Sequence, residues 1–583
     1  MERFLRRVNV KDFFLSSLVS DNTLLSLSLM GGILGGISAL VMGGLYWIIH
    51  LPATLFMSGN IEGFESLSSI ERFLFPLFAS FFLVLVTFFL SPSSQKVGVV
   101  FVIERLNNHQ GNLPFVNSVV QFITAAICLI GGLSIGKEGP AVHIGATFGS
   151  VLARKVKLPV VSVEALIACG IAGAISALFQ TPLAGVLFAL EVVLLEYRLS
   201  YVLPVLISSV AATLVSKWLL GDMLIFSFNS IDLPSFTFDL YLACALLALF
   251  VVTLSFAFYR IQRIFWLFSH WHFSVRFVIV GLITATLGML YPEILGTGFD
   301  SLSLLLDGGT LLTPLFIVLL LKLLLTGLSI GLGVPGGMIG PTFFIGGLAG
   351  VQVALLFDTG MPPHMAIPLF ALIGMSAMMA ASFQAPLTAL IAILEMTHRP
   401  EVMLPAMMVI AVSCLVIRIL FKQQSLFVER LHYMGLESQL SSSTRFLRQH
   451  SIDKVSTPVM LIEPYSNIEQ IQDLRSTMVD YVAVKTDKGK FKIVRRNQLL
   501  NAFETLELGP QPWIMQKDDV ILLDLKRMTE FQSVQVIEIP DSLETMLKWF
   551  DRNKIEQALI QLPTTHQLEL VEKSKLYHSL LER

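Results

Sequence analysis

Residues 170–191 and 374–395 are two copies of one segment. Gly170-IAGAISALFQTPLAGVLFAL-Glu191 aligns without a gap on Gly374-MSAMMAASFQAPLTALIAIL-Glu395, at an offset of 374 − 170 = 204. Phe179/Phe383, Gln180/Gln384, Pro182/Pro386, Leu183/Leu387, Leu190/Leu394 and Glu191/Glu395 coincide. Upstream of these, Gly136-KEGPAVHI-Gly145 and Gly337-MIGPTFFI-Gly346 share the pattern GxxGPxxxIG, at an offset of 337 − 136 = 201. Two motifs in the same order at nearly the same spacing make the chain a tandem duplication. The repeats run over roughly 75–225 and 270–430.

Composition tells what surrounds the repeats. From 436 to the end, 40 of 148 residues are charged, about 27%. The remaining 42 charged residues are spread over 435, about 10%. Residues 1–435 are therefore expected to lie in a membrane and 436–583 to form a domain of ordinary soluble composition. Several apolar runs are too short to span as plain helices, and others are cut at 131–140, 180–182, 331–341 and 384–386. Irregular backbone survives at membrane depth only against protein or a watery cavity, so the cuts predict a transport path. A net charge of −2 argues against nucleic acid as a partner. Cys128, Cys169, Cys244 and Cys414 sit in apolar segments with neither disulfide nor zinc spacing, so no metal is expected. The basic start (Arg3, Arg6, Arg7, Lys11) lacks the pattern of a removable signal peptide.

Each GxxGP followed by an apolar run predicts a helix that begins inside the membrane. Proline suits the first turn, where its missing N–H costs nothing. The glycines before it allow a sharp turn and close approach to the backbone. Such an N-terminus presents unpaired amides and the positive end of the helix dipole, an anion site without fixed cationic charge. A permeating anion must be held firmly enough to replace its hydration yet weakly enough to leave. The first copy carries Lys137 and Glu138 where the second has Met338 and Ile339. A carboxylate there is a tethered competitor for the site and, once protonated, swings aside. Glu138 thus reads as a gate sensitive to pH and anion concentration. His143 reads as a packed histidine rather than a proton relay.

GKEGP at 136–140 resembles the gating-glutamate signature of the CLC chloride channels and proton-coupled chloride antiporters. GGMIGP at 336–341 is similar to the family's second anion-binding helix start, and the duplicated glutamate-ended segments are similar to its paired helices. The similarity in order and spacing covers 24–430. It implies an all-α polytopic membrane protein with an inverted-repeat CLC-like fold and broken helices. It also implies a homodimer with two parallel pathways, chloride as the default ion, and Glu138 as the outer gate. Gly136, Lys137, Glu138, Gly139, Met338 and Ile339 would then supply anion-binding groups, mostly backbone N–H. Neither cofactor nor enzymatic activity is implied.

Three departures from the family pattern bear on mechanism. Val97 stands where the family places a serine whose hydroxyl donates to the central anion, and Phe427 where it places a tyrosine that does the same. Each lost hydrogen bond to a charge is worth about 1.5–3 kcal/mol, so a weak central site is expected, with Ser425 a candidate substitute. Val192 follows Glu191 where proton-coupled members commonly carry an inner glutamate. Channel-like or weakly proton-coupled transport is expected, with proton-coupled antiport as the alternative.

The tail predicts strands at 459–462, 481–484, 490–494, 534–539, 557–562 and 568–571, with helices at 468–478, from 497, at 541–551 and up to 581. The turn at 487–489 and the caps after Pro464 and Pro540 complete the pattern. This resembles a degenerate tandem CBS region, making the tail a small α/β cytosolic domain. Arg495, Gln498, Glu572 and Lys575 occupy the places of the usual nucleotide ligands, so a nucleotide is not expected there. Ser269-His270-Trp271-His272 reads as an interfacial belt rather than a metal site. Lys322 and Arg418 read as residues that snorkel or pair. An intramembrane enzyme using Glu138 and His143 lacks any accompanying nucleophile or HExxH. A cation carrier would favour carbonyl ends over helix N-termini. The basic flanks favour a plasma (cell inner) membrane with both termini cytosolic.

Overall fold

The computed structural model describes residues 23–56, 63–197, 199–222, 238–306, 314–357 and 361–436, then 456–477, 479–486, 490–504, 514–517, 520–528, 531–537, 543–561 and 568–576. The sequence readings at 1–14, 441–445, 487–489, 540–542 and 577–581 lie outside the described residues. The chain divides into two units, Met1–Ser438 and Gln439–Arg583.

In the first unit α1 (Thr23–Phe56) precedes the repeats. The first repeat contains α2 (Ser69–Phe88), α3 (Val99–Asn108), α4 (Phe115–Ile130), α5 (Glu138–Lys155) and α6 (Val160–Phe179). It continues with α7 (Pro182–Leu187), which widens into a π-helical segment at Phe188–Leu194, and α8 (Leu199–Leu220). Then come α9 (Phe238–Trp266), α10 (Phe273–Leu290), α11 (Phe299–Leu306), α12 (Leu315–Gly331) and α13 (Ile339–Leu356). The unit closes with α14 (Pro363–Phe383), α15 (Pro386–Thr397), α16 (Met403–Ile419) and α17 (Leu426–Tyr433). Nine of the described helices are long and apolar enough to cross a membrane, and four apolar helices are shorter. The short ones are α4, α12, α15 and α7 with its π extension, which flank the predicted cuts.

The chain breaks where its residues demand it. Gln180 and Gln384 end α6 and α14 in the same left-handed conformation (φ 54° and 52°), and Pro182 and Pro386 then open α7 and α15 at the first turn. The ends of α4 and α12 are also copies of each other. Leu133 N–H donates to Cys128 O and Val334 N–H to Ser329 O, across Gly132 (φ 69°) and Gly333 (φ 87°). Only a glycine takes such angles without strain, so both helices stop at the same place relative to the motif.

The most buried helices are α5, α6, α13 and α14, and each repeat packs its pair through a GxxxG face. Gly145 and Gly149 lie against Gly170 O and Leu166 O, and Gly346 and Gly350 against Gly374 O and Phe370 O. Added Cβ atoms there would strike backbone, so both crossings need glycine.

In the second unit β1 (Thr457–Ile462), β3 (Tyr481–Lys485), β4 (Phe491–Arg495), β7 (Gln532–Ile537), β8 (Gln557–Gln561) and β9 (Leu568–Glu572) close a barrel in that order. β2 (Tyr465–Asn467), β6 (Val520–Asp524) and β5 (Ile514–Lys517) form a second sheet that the sequence pattern does not disclose. The barrel is built twice over. β1–β3 is parallel and β3–β4 antiparallel, and β7–β8 and β8–β9 repeat that order. Antiparallel pairs β4–β7 and β9–β1 join the halves. α18 (Ile468–Gln472), α19 (Arg496–Glu504) and α20 (Leu543–Asn553) accompany the strands. The helix expected over 468–478 is one α-helical stretch that tightens to 3₁₀ at Asp473–Ser476.

Candidate functional site

The two GxxGP corners meet. Gly136 N–H donates to Gly337 O and Gly337 N–H donates to Gly136 O, both at 2.7 Å, an antiparallel bridge between the repeats. The approach is closer than any side chain allows: a Cβ on Gly139 would stand 2.8 Å from Gly337 Cα and 2.9 Å from its nitrogen. α5 and α13 therefore start from one point, with Lys137 and Met338 at their N-cap positions and no side chain capping either start. The amides of the first turn of each helix have no acceptor within the helix. Of the residues expected to offer amides, Gly136 spends its own on the bridge, while Lys137, Glu138, Gly139, Met338 and Ile339 stand at the two starts.

The Glu138 carboxylate is completely buried at this junction. It belongs to α5 but reaches across to α13: a Cβ on Gly337 would lie 2.8 Å from Oε2, and one on Gly340 3.0 Å from Oε1. The negative group thus occupies the position that two helix dipoles make favourable for an anion. Beside it lies a cavity of about 20 Å3, measured as space open to the centre of a water molecule, which suits a single small solute. Glu138, Ile339, Phe343, Phe179, Thr181 and Thr388 are among its lining, and apart from Glu138 and the two threonines the lining is apolar.

The duplicated carboxylates Glu191 and Glu395 are exchanged between the repeats. Glu191, in the π-helical continuation of α7, accepts from Leu387 N–H (3.3 Å), Thr388 N–H (2.7 Å) and the Thr388 hydroxyl (2.6 Å) at the start of α15. Glu395, at the end of α15, accepts from Leu183 N–H (2.9 Å) and Ala184 N–H (2.8 Å) at the start of α7. Each short helix is capped by the glutamate of the other.

A family model described as voltage gated chloride channel matches residues 75–418, well over half of the chain. The chain belongs to the voltage gated chloride channel family. A putative chloride channel protein, ClcB-like, of Ralstonia nicotianae is 32% identical over 302 residues, 50% of this chain and 69% of that protein. An H(+)/Cl(-) exchange transporter ClcA of Vibrio cholerae is 27% identical over 429 residues, 72% of this chain and 91% of that protein. Among solved structures, a CLC-type fluoride/proton antiporter shares the fold at a TM-score of 0.59 and 23% identity, covering 70% of this chain and 98% of that one. A eukaryotic CLC transporter does so at 0.57 and 19%, covering 95% and 99%. The fold is that of a multi-pass CLC ion-transport protein followed by a small β-rich region.

The residues that depart from the CLC pattern have their own packing. Val97 precedes Gly98 (φ 90°), whose N–H donates to His143 Nδ1 on α5 at 3.2 Å. Accepting that bond puts the ring proton of a neutral His143 on Nε2, and the buried ring packs edge-on to Phe101 at 5.4 Å. His143 thus secures the Val97–Gly98 turn. Phe427 is buried, stacked on Phe383 at 5.2 Å and 15°. Val192 is buried in the π-helical segment and does not line the cavity. Ser425 Oγ is buried without a hydrogen-bond partner.

Three arrangements escaped the sequence. Lys322 is fully buried and donates to Ile294 O (2.9 Å), Leu295 O (3.2 Å) and Gly296 O (2.7 Å), so it pins a loop rather than snorkelling. Clustered small residues and one lysine in an apolar run gave no hint of its acceptors. The reciprocal glutamate caps were visible as repeated positions but not as partners. His272 caps α10 by accepting from Ser274 N–H, and no metal-ligand cluster exists among the described residues. Arg418 is exposed at the end of α16.

Proposed function

We propose that the chain moves small inorganic anions, chloride by default, across a membrane along a path through the paired corners, and that Glu138 gates that path. The observation that carries this is the Glu138 carboxylate lying against Gly337 and Gly340, at the start of the opposite repeat's helix. Ionised, it holds the anion position; protonated, it loses the attraction of both dipoles and leaves. The amides of Lys137, Gly139, Met338 and Ile339 then receive the ion, with little help from Val97 or Phe427 side chains.

Val192 carries no proton, which favours channel-like or weakly coupled flux. Relatives named as exchange transporters and as a fluoride/proton antiporter favour tighter proton coupling as the second reading. Anion flux in proteoliposomes with a simultaneous pH readout separates the two. E138Q mimics the protonated gate: anion flux at low concentration should rise about ten-fold and lose its pH dependence, as a dipole–carboxylate attraction of up to about 2 kcal/mol is removed. Unchanged flux and pH response would remove Glu138 from the gate.

The subunit is read as one half of a homodimer in a plasma membrane with cytosolic termini. The second unit is read as a CBS-like pair with a structural role and no nucleotide. Three of its would-be ligand positions are engaged by neighbouring side chains: Arg495 Nε donates to Tyr481 Oη (3.2 Å), and Glu572 accepts from Tyr481 Oη (3.1 Å) and Gln557 Nε2 (2.7 Å). Lys575 Nζ donates to Thr457 Oγ1 (2.7 Å).

A further inference from the structure

Arg276, in the first turn of α10, and Arg430, in α17, are cations in a largely apolar setting, and neither forms an ion pair among the described residues. Arg430 lies over the rings of Trp266 (5.0 Å) and Tyr433 (5.6 Å). Arg276 Nη1 donates to Leu332 O at 2.9 Å. Those contacts leave donors over: Arg276 Nε and Arg430 Nη1 are both buried with no acceptor. They sit on adjoining elements: Gly331, beside the Leu332 that holds Arg276, packs against Gln262 O and Phe265 of α9, and Trp266 under Arg430 comes next on that helix. The nearest carboxylate in sequence, Glu429, is engaged elsewhere, accepting from Tyr259 Oη (3.3 Å) and Gln424 N–H (3.0 Å). Two neighbouring cations with desolvated N–H groups are costly unless an anion satisfies them.

The pair connects to the corner site along α9. On α9, Gln262 Nε2 reaches Met338 Sδ (3.8 Å), and Trp266, under Arg430, is one turn further along, a rise of roughly 6 Å. Arg276 itself is bonded to the turn at Leu332 and Gly333 that leads into the α13 corner. We infer that Arg276 and Arg430 form a second anion site, a station for the same small monovalent inorganic anion that the paired corners take. This rests on the anion-transport reading above. A planar guanidinium with an unmet N–H is a firmer hydrogen-bond donor than an amide, so this station gathers ions from solution while the corner amides pass them on.

Bromide is the probe, because its anomalous scattering locates it in crystals of the full chain. Two peaks are expected, one at Met338–Ile339 and one between Arg276 and Arg430. R430Q, and independently R276Q, should remove the second peak and keep the first. Each should raise the bromide concentration that half-saturates flux in proteoliposomes about ten-fold, the loss of one charged hydrogen bond, with R430K intermediate. If either variant fails to fold, as judged by loss of its monodisperse elution peak, the other and the wild-type map still decide. No wild-type peak at the arginines, a lipid phosphate there in place of bromide, or unchanged half-saturation in both folded variants would overturn the inference. A peak at the arginines with none at Met338–Ile339 would keep this site and defeat the corner reading instead.

Discussion

Gly139→Ala tests whether the contact between the two corners makes the site. The new methyl would stand 2.8 Å from Gly337 Cα and Gly336 O and 2.9 Å from Gly337 N, all backbone atoms with no rotamer to yield. Carbon contacts are comfortable from about 3.5 Å, so the corners must separate by about 0.6–0.7 Å. The paired 2.7 Å bonds between Gly136 and Gly337 would then approach about 3.4 Å, beyond the usual range for N–H···O. Overpacking costs about 1–3 kcal/mol and each of the two weakened bonds about 0.5–1.5, giving a loss of roughly 2–6 kcal/mol. The amides of α5 and α13 would no longer converge, and anion flux should fall at least about ten-fold. Thermal melting of the purified protein and chloride efflux from proteoliposomes read the two effects. Gly44→Ala in α1 is the control: its methyl meets nothing within 4 Å, so flux should hold and stability rise by about 0.5–1 kcal/mol. A Gly139→Ala protein with wild-type melting and efflux would refute the reasoning from close approach.

Other perturbations have equally definite expectations. Glu191→Gln and Glu395→Gln should each destabilise by about 1–3 kcal/mol, read as a lower melting temperature, because charged acceptors at the starts of α15 and α7 become neutral. A melting temperature unchanged in both would mean that the reciprocal caps contribute nothing. Phe427→Tyr and Val97→Ser each add a hydroxyl where the CLC pattern has one, and bromide affinity measured by calorimetry should tighten about ten-fold for either. Equal affinity would show that these positions do not face the ion. In the second unit, burial, followed by the nearby Glu572 charge, holds the Tyr481 hydroxyl above its ordinary value of 10.0, against the opposing pull of Arg495. The folded form therefore keeps a proton that the unfolded chain gives up. That stability is present below about pH 10 and is lost as pH rises above it. Tyr481→Phe should remove this alkaline step from a melting-temperature profile, and a profile identical to wild type would contradict it.

The corners were legible because their signals are local and duplicated. GxxGP carries its helix start in five residues, and the same turn recurs 201 residues on, down to the left-handed glycines at 132 and 333. What the sequence could not disclose was pairing between the repeats. Nothing in one copy of GxxGP says that Gly136 spends its amide on Gly337, or that the Glu138 side chain reaches the other repeat's helix. Lys322 was ambiguous for a similar reason: a lysine among leucines is consistent with snorkelling until the carbonyls of 294–296 are seen around it. In the tail the strand order was readable from alternation. The second sheet was not, since β2 is three residues long and its partners lie in a stretch with no clear period.

The three repeat-exchanged carboxylates differ in one respect that bears on gating. Glu191 lies in the π-helical continuation of α7 and Glu395 in the last turn of α15, and each is tied by hydrogen bonds to successive amides of the other repeat. Removing either from its place breaks at least two of those bonds and uncovers the start of α15 or α7. Glu138 is the first residue of α5, beside the corner itself, so rotation about its own side-chain bonds suffices to carry the carboxylate away from Gly340. All three use helix dipoles in place of cations, which keeps a negative charge tolerable at membrane depth. Glu138 begins its own helix instead of capping the other repeat's, and it is the one that lines a cavity of the size of a single small solute. A gate needs that difference: an anion competes with a side chain at its site far more cheaply than with a helix.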